Sequence, residues 1–269
     1  MPEPLLEVRG LHVAFDSDGR TVHAVDGVDL RVAPQEILAL VGESGSGKTM
    51  TALSIGRLLP ASARWRADAI RLNGRDLLAL READWRSVLG SQIAYVFQDP
   101  ASSLNPVMTI EEQLTEPLEI HQSLPRRAAK TRVVESLTAV QIPDPAGKLP
   151  LYPHQLSGGM QQRVMLAMAI VLQPALLIAD EPTTALDATV QQQILTLLLR
   201  LRKQTGMAIL LITHDLLQVA PIADRIAVMT RGRIVETAPT AQLYATPVHP
   251  HTQALLHAMP RLGQGRLTQ

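Results

Sequence analysis

The sequence has no cysteine, few aromatic residues and no excess of either charge. Without cysteine, disulfide scaffolds, thiol catalysis and thiolate metal sites are excluded. Aromatic residues make up only 3% of the 269 positions, which leaves few side chains for stacking on nucleic-acid bases. The 25 basic and 25 acidic residues cancel, so a surface that binds phosphate backbones all over is disfavoured. The chain is 46% apolar, which is enough for a substantial core.

A long apolar run is also missing. The most apolar stretch, Val164–Leu172, ends before Gln173 and is far shorter than the ~20 residues that a membrane-spanning helix needs. The first residues lack the basic start and apolar segment of a signal peptide. We therefore expect a soluble protein that stays in the compartment where it is made.

Apolar runs of strand length are present instead. Ile37–Val41, Ala175–Ala179 and Ala208–Ile212 are continuous apolar runs, typical of strands buried on both faces of a parallel sheet. Between the last two runs, apolar residues recur at helical spacing, with Asp187 placed to cap the start and Gly206 the end. Buried strands that alternate with amphipathic helices indicate an α/β fold.

Other segments differ from this core. Leu5–Phe15 alternates like a half-buried strand. Residues 99–156 are rich in Glu, Gln, Arg and Ala and contain helical candidates at Ile110–His121 and Arg126–Gln141, which predicts a mostly helical insertion. Val235–Gln269 contains several prolines and little strand character, so we interpret it as an appended tail.

A glycine-rich motif directly follows the first buried run and precedes a helical pattern. It fits the pattern Gly-x4-Gly-Lys-Ser/Thr with Gly42, Glu43, Ser44, Gly45, Ser46, Gly47, Lys48 and Thr49. Such a loop curls around phosphate so that backbone N–H groups point inward, and the following helix adds its N-terminal dipole. Lys48 is expected to reach the β and γ phosphates of a nucleotide, and Thr49 to ligate Mg²⁺.

A phosphate loop needs an acidic partner at the end of a neighbouring strand. The run that ends at Ala179 continues into Asp180 and Glu181. We expect Asp180 to hold Mg²⁺ through water and Glu181 to polarise the attacking water.

The next motif decides which nucleotide-dependent machine this is. It consists of Leu156, Ser157, Gly158, Gly159, Met160 and Gln161. With Met160 where Gln is usual, it resembles the Leu-Ser-Gly-Gly-Gln signature of the ATP-binding subunits of ABC transporters. Ser157 is placed to cap a helix that begins at the glycines, which makes a second anion site. The resemblance implies that this site completes the ATP site of another ATPase subunit.

The remaining motifs of that family follow in its order. Gln98 is similar to the Q-loop glutamine that touches Mg²⁺ and water and communicates with membrane subunits. Ala185, Leu186 and Asp187, after Thr184, are similar to the D-loop. His214 is similar to the switch histidine at the γ-phosphate, and Phe15 to the aromatic residue that stacks on adenine.

The resemblance also implies an architecture and partners. It implies a P-loop (RecA-like) ATPase core with an N-terminal antiparallel β subdomain, and a cassette over residues 1–236 with the helical subdomain at about 99–163. Residues 237–269 form the tail. ATP and Mg²⁺ are the implied cofactors. The implied partners are two transmembrane permease subunits, a second ATPase subunit in a head-to-tail dimer and, indirectly, an extracytoplasmic substrate-binding protein, with no nucleic acid. The implied location is peripheral, at the cytoplasmic face of the inner membrane.

Two further stretches indicate a branch of the family. Residues 97–106 and the tail around His249-Pro250-His251 resemble the dipeptide, oligopeptide and nickel importers. The implied cargo is a peptide, nickel or a metal chelate, and the sequence does not decide among them. We expect the tail histidines to be solvated or packed rather than metal ligands.

The sequence disfavours two other functions. ABC-type ATPases that act on DNA or ribosomes usually carry a long coiled-coil insertion or two cassettes, neither of which is present here. A binding-only regulatory subunit would have a degenerate site, whereas Glu181 and His214 are both in place.

Overall fold

The computed structural model describes residues 3–17, 20–184 and 186–258. An antiparallel sheet contains β1 (Leu6–Ser17), β2 (Arg20–Val32), β4 (Ala63–Arg66), β5 (Ala69–Leu72) and β6 (Arg75–Asp76). A second sheet contains β3 (Ile37–Val41), β7 (Ile93–Val96), β8 (Leu176–Asp180), β9 (Ala208–Thr213), β10 (Arg225–Thr230) and β11 (Arg233–Pro239). Its strand order is β11-β10-β3-β9-β8-β7, in which β11 is antiparallel to β10 and the other neighbours pair in parallel.

The helices surround these sheets. They are α1 (Lys48–Ile55), α2 (Glu82–Val88), α3 (Pro100–Ser103), α4 (Ile110–Gln122), α5 (Arg126–Ala139), α6 (Pro145–Lys148), α7 (Gly158–Ile170), α8 (Ala188–Thr205), α9 (Leu216–Val219), α10 (Thr240–Ala245) and α11 (Pro250–Ala258), with a 3₁₀ turn at Pro153–Gln155. In the described ranges, none of them combines the length and apolarity that a bilayer span requires. The predicted α/β fold with an N-terminal antiparallel sheet and inserted helices is confirmed.

The predicted core strands form because their apolar side chains are buried on both faces. Every residue of β3, β8 and β9 is buried. Along β3, Leu38 and Leu40 pack in the layer between the two sheets, whereas Ala39 and Val41 pack against the helices. A strand presents alternate residues to opposite faces, so a continuous apolar run fits this sandwiched position.

Helix α8 has the boundaries that the sequence predicted. The Asp187 carboxylate accepts from the backbone N–H groups of Thr189 and Val190, both at 3.0 Å, and Gly206 ends the helix in a left-handed conformation. Such an N-cap contributes about 1 kcal/mol to helix stability. The elements between β7 and β8 are helical, and α7 continues past residue 163 to Ile170.

The expectation of little strand character from Val235 onward is wrong for the first five residues. β11 runs to Pro239 and pairs with β10, with Val228 opposite Glu236 and Ile226 opposite Ala238. Proline is tolerated here because β11 is an edge strand and Pro239 ends it. The expected boundary at residue 236 therefore falls inside a strand. After it, the Glu236 carboxylate accepts from the backbone N–H groups of Val248 and His249, both at 2.9 Å.

Candidate functional site

The phosphate loop joins the end of β3 to the start of α1. A side chain at Gly42 would meet the Met229 carbonyl oxygen at 2.1 Å, so the loop can pass the end of β10 only with glycine. Gly47, at φ +104°, lies in a region that favours glycine, and it caps α1. The close approach at Gly42 and the positive φ of Gly47 therefore shape a loop that leads directly into the N-terminus of α1.

Lys48 lies inside this loop. Its ammonium group donates to the carbonyl oxygens of Gly42 at 2.8 Å and Glu43 at 2.9 Å, and contacts the Ser46 hydroxyl at 3.5 Å. Only 4% of the residue is exposed. Burial lowers the pKa of Lys48 from its ordinary value, and the nearby Glu181 and Asp180 carboxylates oppose that shift. The loop therefore concentrates a desolvated positive charge where the sequence predicts the nucleotide phosphates.

Asp180 and Thr49 meet at the ends of β8 and the phosphate loop. The Thr49 hydroxyl donates to the Asp180 carboxylate at 3.3 Å. Burial raises the pKa of Asp180, while the Thr49 hydrogen bond and Lys48 oppose the rise. A hydroxyl and a carboxylate are oxygen ligands of the kind that Mg²⁺ takes in phosphate sites, so these residues fit the predicted metal.

Glu181 and His214 form a pair at the ends of β8 and β9. His214 Nδ1 lies 3.3 Å from Glu181 Oε2, and the Thr184 hydroxyl donates to the same carboxylate oxygen at 2.7 Å. Glu181 has a φ of +47°, which is uncommon for a residue other than glycine and is often found at functional sites. The Glu181 carboxylate is thus held by two polar groups next to the phosphate loop.

Gln98 and Phe15 are two further residues that the sequence assigns to the site. Gln98 is exposed just beyond β7, which pairs with β8 so that Val96 lies opposite Ala179. It is therefore at the same sheet edge as Asp180. Phe15 is half-buried in β1, opposite Val22 of β2, and packs on the layer between the sheets. Its adenine-stacking role stays a prediction.

The signature motif lies in another part of the molecule, at the start of α7. The Ser157 hydroxyl caps this helix by accepting from Met160 N at 3.4 Å, as predicted. The Gln161 side chain fixes the preceding turn by donating to the carbonyl oxygens of Pro153 and Leu156, at 2.9 and 3.2 Å. Among the described residues, no hydrogen bond joins this motif to the phosphate loop.

The signature motif is instead beside the D-loop. A Cβ atom at Gly159 would lie 3.2 Å from Cγ1 of Val190, in the first turn of α8 that Asp187 caps. Leu186 packs against the helical core. Ala185, which the sequence also assigns to the D-loop, lies outside the described residues. The structure therefore brings the predicted residues together in two groups, which meet where Thr184 contacts Glu181.

Sequence reasoning missed some residues near the Glu181–His214 pair. It named Thr184 only as a D-loop hydroxyl and did not predict its contact with Glu181. It also missed Gln191 and Gln218, whose side chains contact each other and Thr183. No motif marks these glutamines, because their contacts join segments that are 8 to 35 positions apart.

Comparison with known proteins agrees with this geometry. Residues 25–184 match the family model described as "ABC transporter". A Brucella ovis protein named for peptide import ATP binding is 49% identical over 267 residues, which cover 97% of this chain and 79% of that protein. The peptidoglycan transport ATP-binding protein YejF of Agrobacterium fabrum is 52% identical over 260 residues, which cover 96% of this chain and 48% of that protein.

A solved structure agrees with this family match. The dimeric structure of MJ0796, a bacterial ABC transporter cassette, superposes with a TM-score of 0.76 at 25% identity, covering 87% of this chain and 98% of that one. The family match spans more than half of the chain and includes the phosphate loop, Asp180 and Glu181. The chain is therefore an ATP-binding subunit and ATPase of the ABC transporter family, in the branch whose members are named for peptide import.

Proposed function

We propose that this chain hydrolyses Mg²⁺-ATP to drive uptake of a peptide through separate membrane subunits. The observation that carries the proposal is the assembly at one edge of the parallel sheet, where the phosphate loop, the Thr49–Asp180 contact and the Glu181–His214 pair lie together. Ligands of open α/β sheets bind at this carboxyl edge.

Each residue of this edge has a proposed task. Residues 42–49 bind the phosphates through backbone N–H groups, and Lys48 contacts the β and γ phosphates. Glu181 accepts the proton of the attacking water as the new bond to the γ-phosphorus forms, and ADP leaves. His214 contacts the γ-phosphate and, through its Nδ1, holds the Glu181 carboxylate. Phe15 stacks on the adenine.

A magnesium ion fits the oxygen ligands at this edge. Thr49, Asp180 and Gln98 would hold it, and it would supply positive charge that offsets the charge of the β and γ phosphates. The Thr49–Asp180 hydrogen bond already keeps two of these groups adjacent.

We place the working unit in a head-to-tail pair of ATPase subunits, either two copies or two related chains. In each site the signature motif of one subunit, Leu156–Gln161, faces the phosphate loop of the other. Apart from the chain neighbours and the backbone of α7 itself, nothing in the described residues comes within 4 Å of a Cβ position at Gly158, so packing against other elements leaves that position open. The N-terminus of α7 is then free to contribute its backbone N–H groups to a phosphate on another subunit.

We propose that the membrane subunits bind to an apolar groove beside Gln98. A groove of about 310 Å³ is lined by apolar residues that include Tyr95, Phe97, Met168 and Leu172, and 40% of Phe97 is exposed. Exposed apolar surface of this kind marks contact with another protein. Two permease subunits bound there would hold the chain peripherally at the cytoplasmic face of the inner membrane. A substrate-binding protein outside would deliver cargo.

A peptide is the proposed cargo because the Brucella relative is named for peptide import. Nickel or a metal chelate is the alternative from the branch resemblance. The test is ATPase stimulation in the complex reconstituted with its permease and binding proteins. Stimulation by short peptides supports the proposal, and stimulation by nickel or a nickel chelate alone would contradict the peptide assignment.

A further inference from the structure

A closed ring of hydrogen bonds lies beside the Glu181–His214 pair. The Thr183 hydroxyl donates to Gln218 Oε1 at 3.3 Å. Gln218 Nε2 donates to Gln191 Oε1 at 3.0 Å. Gln191 Nε2 donates back to the Thr183 carbonyl oxygen at 2.9 Å. Each of the three residues therefore gives one hydrogen bond and receives one within the ring.

The ring joins three segments that carry predicted site residues. Thr183, which is 5% exposed, lies two positions after Glu181 in the turn that follows β8. Gln191 lies in the first turn of α8, where its backbone N–H donates to the Asp187 carbonyl at 2.8 Å. Gln218 lies in α9, four positions after His214. The ring therefore ties the general-base segment, the D-loop and the switch-histidine segment together.

His214 depends on α9 for its position. The side chain of His214 is 53% exposed, so packing does not fix it. Its backbone is set by the next residue, because Asp215 caps α9 by accepting from Leu217 N at 2.8 Å and donates its own N–H to the Thr213 hydroxyl at 3.1 Å. A helix of four residues is not stable alone, so contacts from outside must hold it.

Helix α9 has a second anchor. The Tyr244 hydroxyl of α10 donates to the Leu216 carbonyl oxygen. Burial, with a further contribution from Asp215, raises the pKa of Tyr244 to about 12, so this hydroxyl stays a donor at any physiological pH. Within the described residues, the ring alone connects α9 by side-chain hydrogen bonds to the turn after Glu181.

We infer that Gln218 is a positioning residue for ATP hydrolysis, acting through His214. The ring of Thr183, Gln191 and Gln218 keeps His214 at the distance from Glu181 that the reaction requires. The inference rests on the catalytic roles proposed for Glu181 and His214. It assigns no contact between Gln218 and the nucleotide, so loss of the ring changes turnover rather than ATP binding.

The first test replaces Gln218 with leucine, which keeps the size and removes both hydrogen bonds. We expect kcat to fall about tenfold, because displacements of 1 Å at a reacting pair cost up to about 100-fold. The KM for ATP should stay within about twofold, because the phosphate loop is untouched. Gln192→Leu is the matched control on the exposed side of α8 and should leave both constants unchanged.

The second test asks whether the three residues act as one unit. Gln191→Leu should reproduce the fall in kcat, and the double variant should be no slower than either single variant, because a broken ring cannot be broken again. Thr183→Ser retains the hydroxyl donor and should keep the activity, whereas Thr183→Val should lose it. Melting temperatures measured in parallel show whether each variant is folded. If a leucine variant does not fold, the comparison of Thr183→Ser with Thr183→Val still tests the ring.

The third test separates this inference from the proposed function. In a His214→Ala background, adding Gln218→Leu should cause no further loss of kcat. The positioning role would be overturned if Gln218→Leu lowered kcat in that background as much as it does with His214 intact. It would also be overturned if Gln218→Leu alone left kcat unchanged, or raised KM instead of lowering kcat. Normal turnover in Glu181→Gln would instead show that the proposed catalytic roles are wrong.

Discussion

The Thr49 hydroxyl donates a hydrogen bond to the Asp180 carboxylate across 3.3 Å, although 131 positions separate the two residues. The contact exists because Thr49 lies in the first turn of the helix after one parallel strand and Asp180 ends another, two strands away across β9. It shows that the phosphate loop and the acidic end of β8 form one site.

Replacing Glu181 with glutamine should retain ATP binding and abolish most turnover. The amide can still accept from Thr184, but it cannot take a proton from water. We expect kcat to fall by about 10²- to 10⁴-fold, as for loss of a general base. Steady-state ATPase rates and equilibrium binding of labelled ATP measure the two effects. Glu82→Gln, on the exposed side of α2, is the control, and near-normal turnover in Glu181→Gln would refute the assignment.

Replacing Lys48 with alanine should weaken nucleotide binding. A hydrogen bond to a charged group contributes about 1.5–3 kcal/mol, so we expect the Kd for ATP to rise about 10- to 100-fold. Isothermal titration measures this Kd. Lys130→Ala removes a lysine whose partner is the surface residue Glu111 and should leave the Kd unchanged. An unaltered Kd in Lys48→Ala would show that the Lys48 ammonium group does not contact the phosphates.

Replacing Gly158 with aspartate should leave folding intact and prevent dimerisation of the ATPase subunits. An acidic residue in the first turn interacts favourably with the helix dipole of α7. Apart from its chain neighbours and the backbone of its own helix, no described atom lies within 4 Å of the new Cβ, so the melting temperature should not fall. The same charge would face the phosphates bound by the other subunit. Binding of ATP to the single chain should persist, whereas ATP-dependent dimerisation, followed by size-exclusion chromatography with light scattering, should be lost. Dimerisation equal to that of the unaltered chain would contradict the proposed head-to-tail site.

Replacing Asp180 with asparagine should stabilise the protein and inactivate it. Because burial raises the pKa of Asp180, the folded state binds its proton more tightly than the unfolded state does. The ionised side chain therefore lowers the free energy of unfolding once the pH exceeds the unfolded pKa. We expect a higher melting temperature for Asp180→Asn at pH 7, and a difference that disappears as the pH falls below the unfolded pKa. A lower melting temperature at pH 7 would contradict this account.

Much of the fold could be predicted from local pattern. The predicted buried strands lie within one residue of the observed bounds, because a continuous apolar run such as Ile37–Val41 suits a strand buried on both faces. The start and end of α8 followed from the capping chemistry of Asp187 and Gly206. β11 was missed because Val235–Pro239 is short, lies at a sheet edge and is stabilised by pairing with β10 rather than by its own pattern.

The site likewise has residues that local sequence patterns predict and residues that only the tertiary fold brings together. Gly42–Thr49, Asp180 and Glu181 are contiguous motifs that follow strands, so their meeting at one sheet edge could be anticipated. The hydrogen-bonded ring could not, since Gln191 and Gln218 have ordinary polar spacing and only the tertiary fold brings them to Thr183. The separation of Ser157 from the phosphate loop likewise depends on how the helical segment packs.

The most direct test of the account is a tagged pull-down of the full-length chain from detergent-solubilised native membranes, with mass spectrometry of the co-purifying proteins. The account predicts two polytopic membrane proteins and an ATPase partner, either a related subunit or a second copy of this chain. Recovery of ribosomal proteins or DNA without any membrane subunit would contradict it.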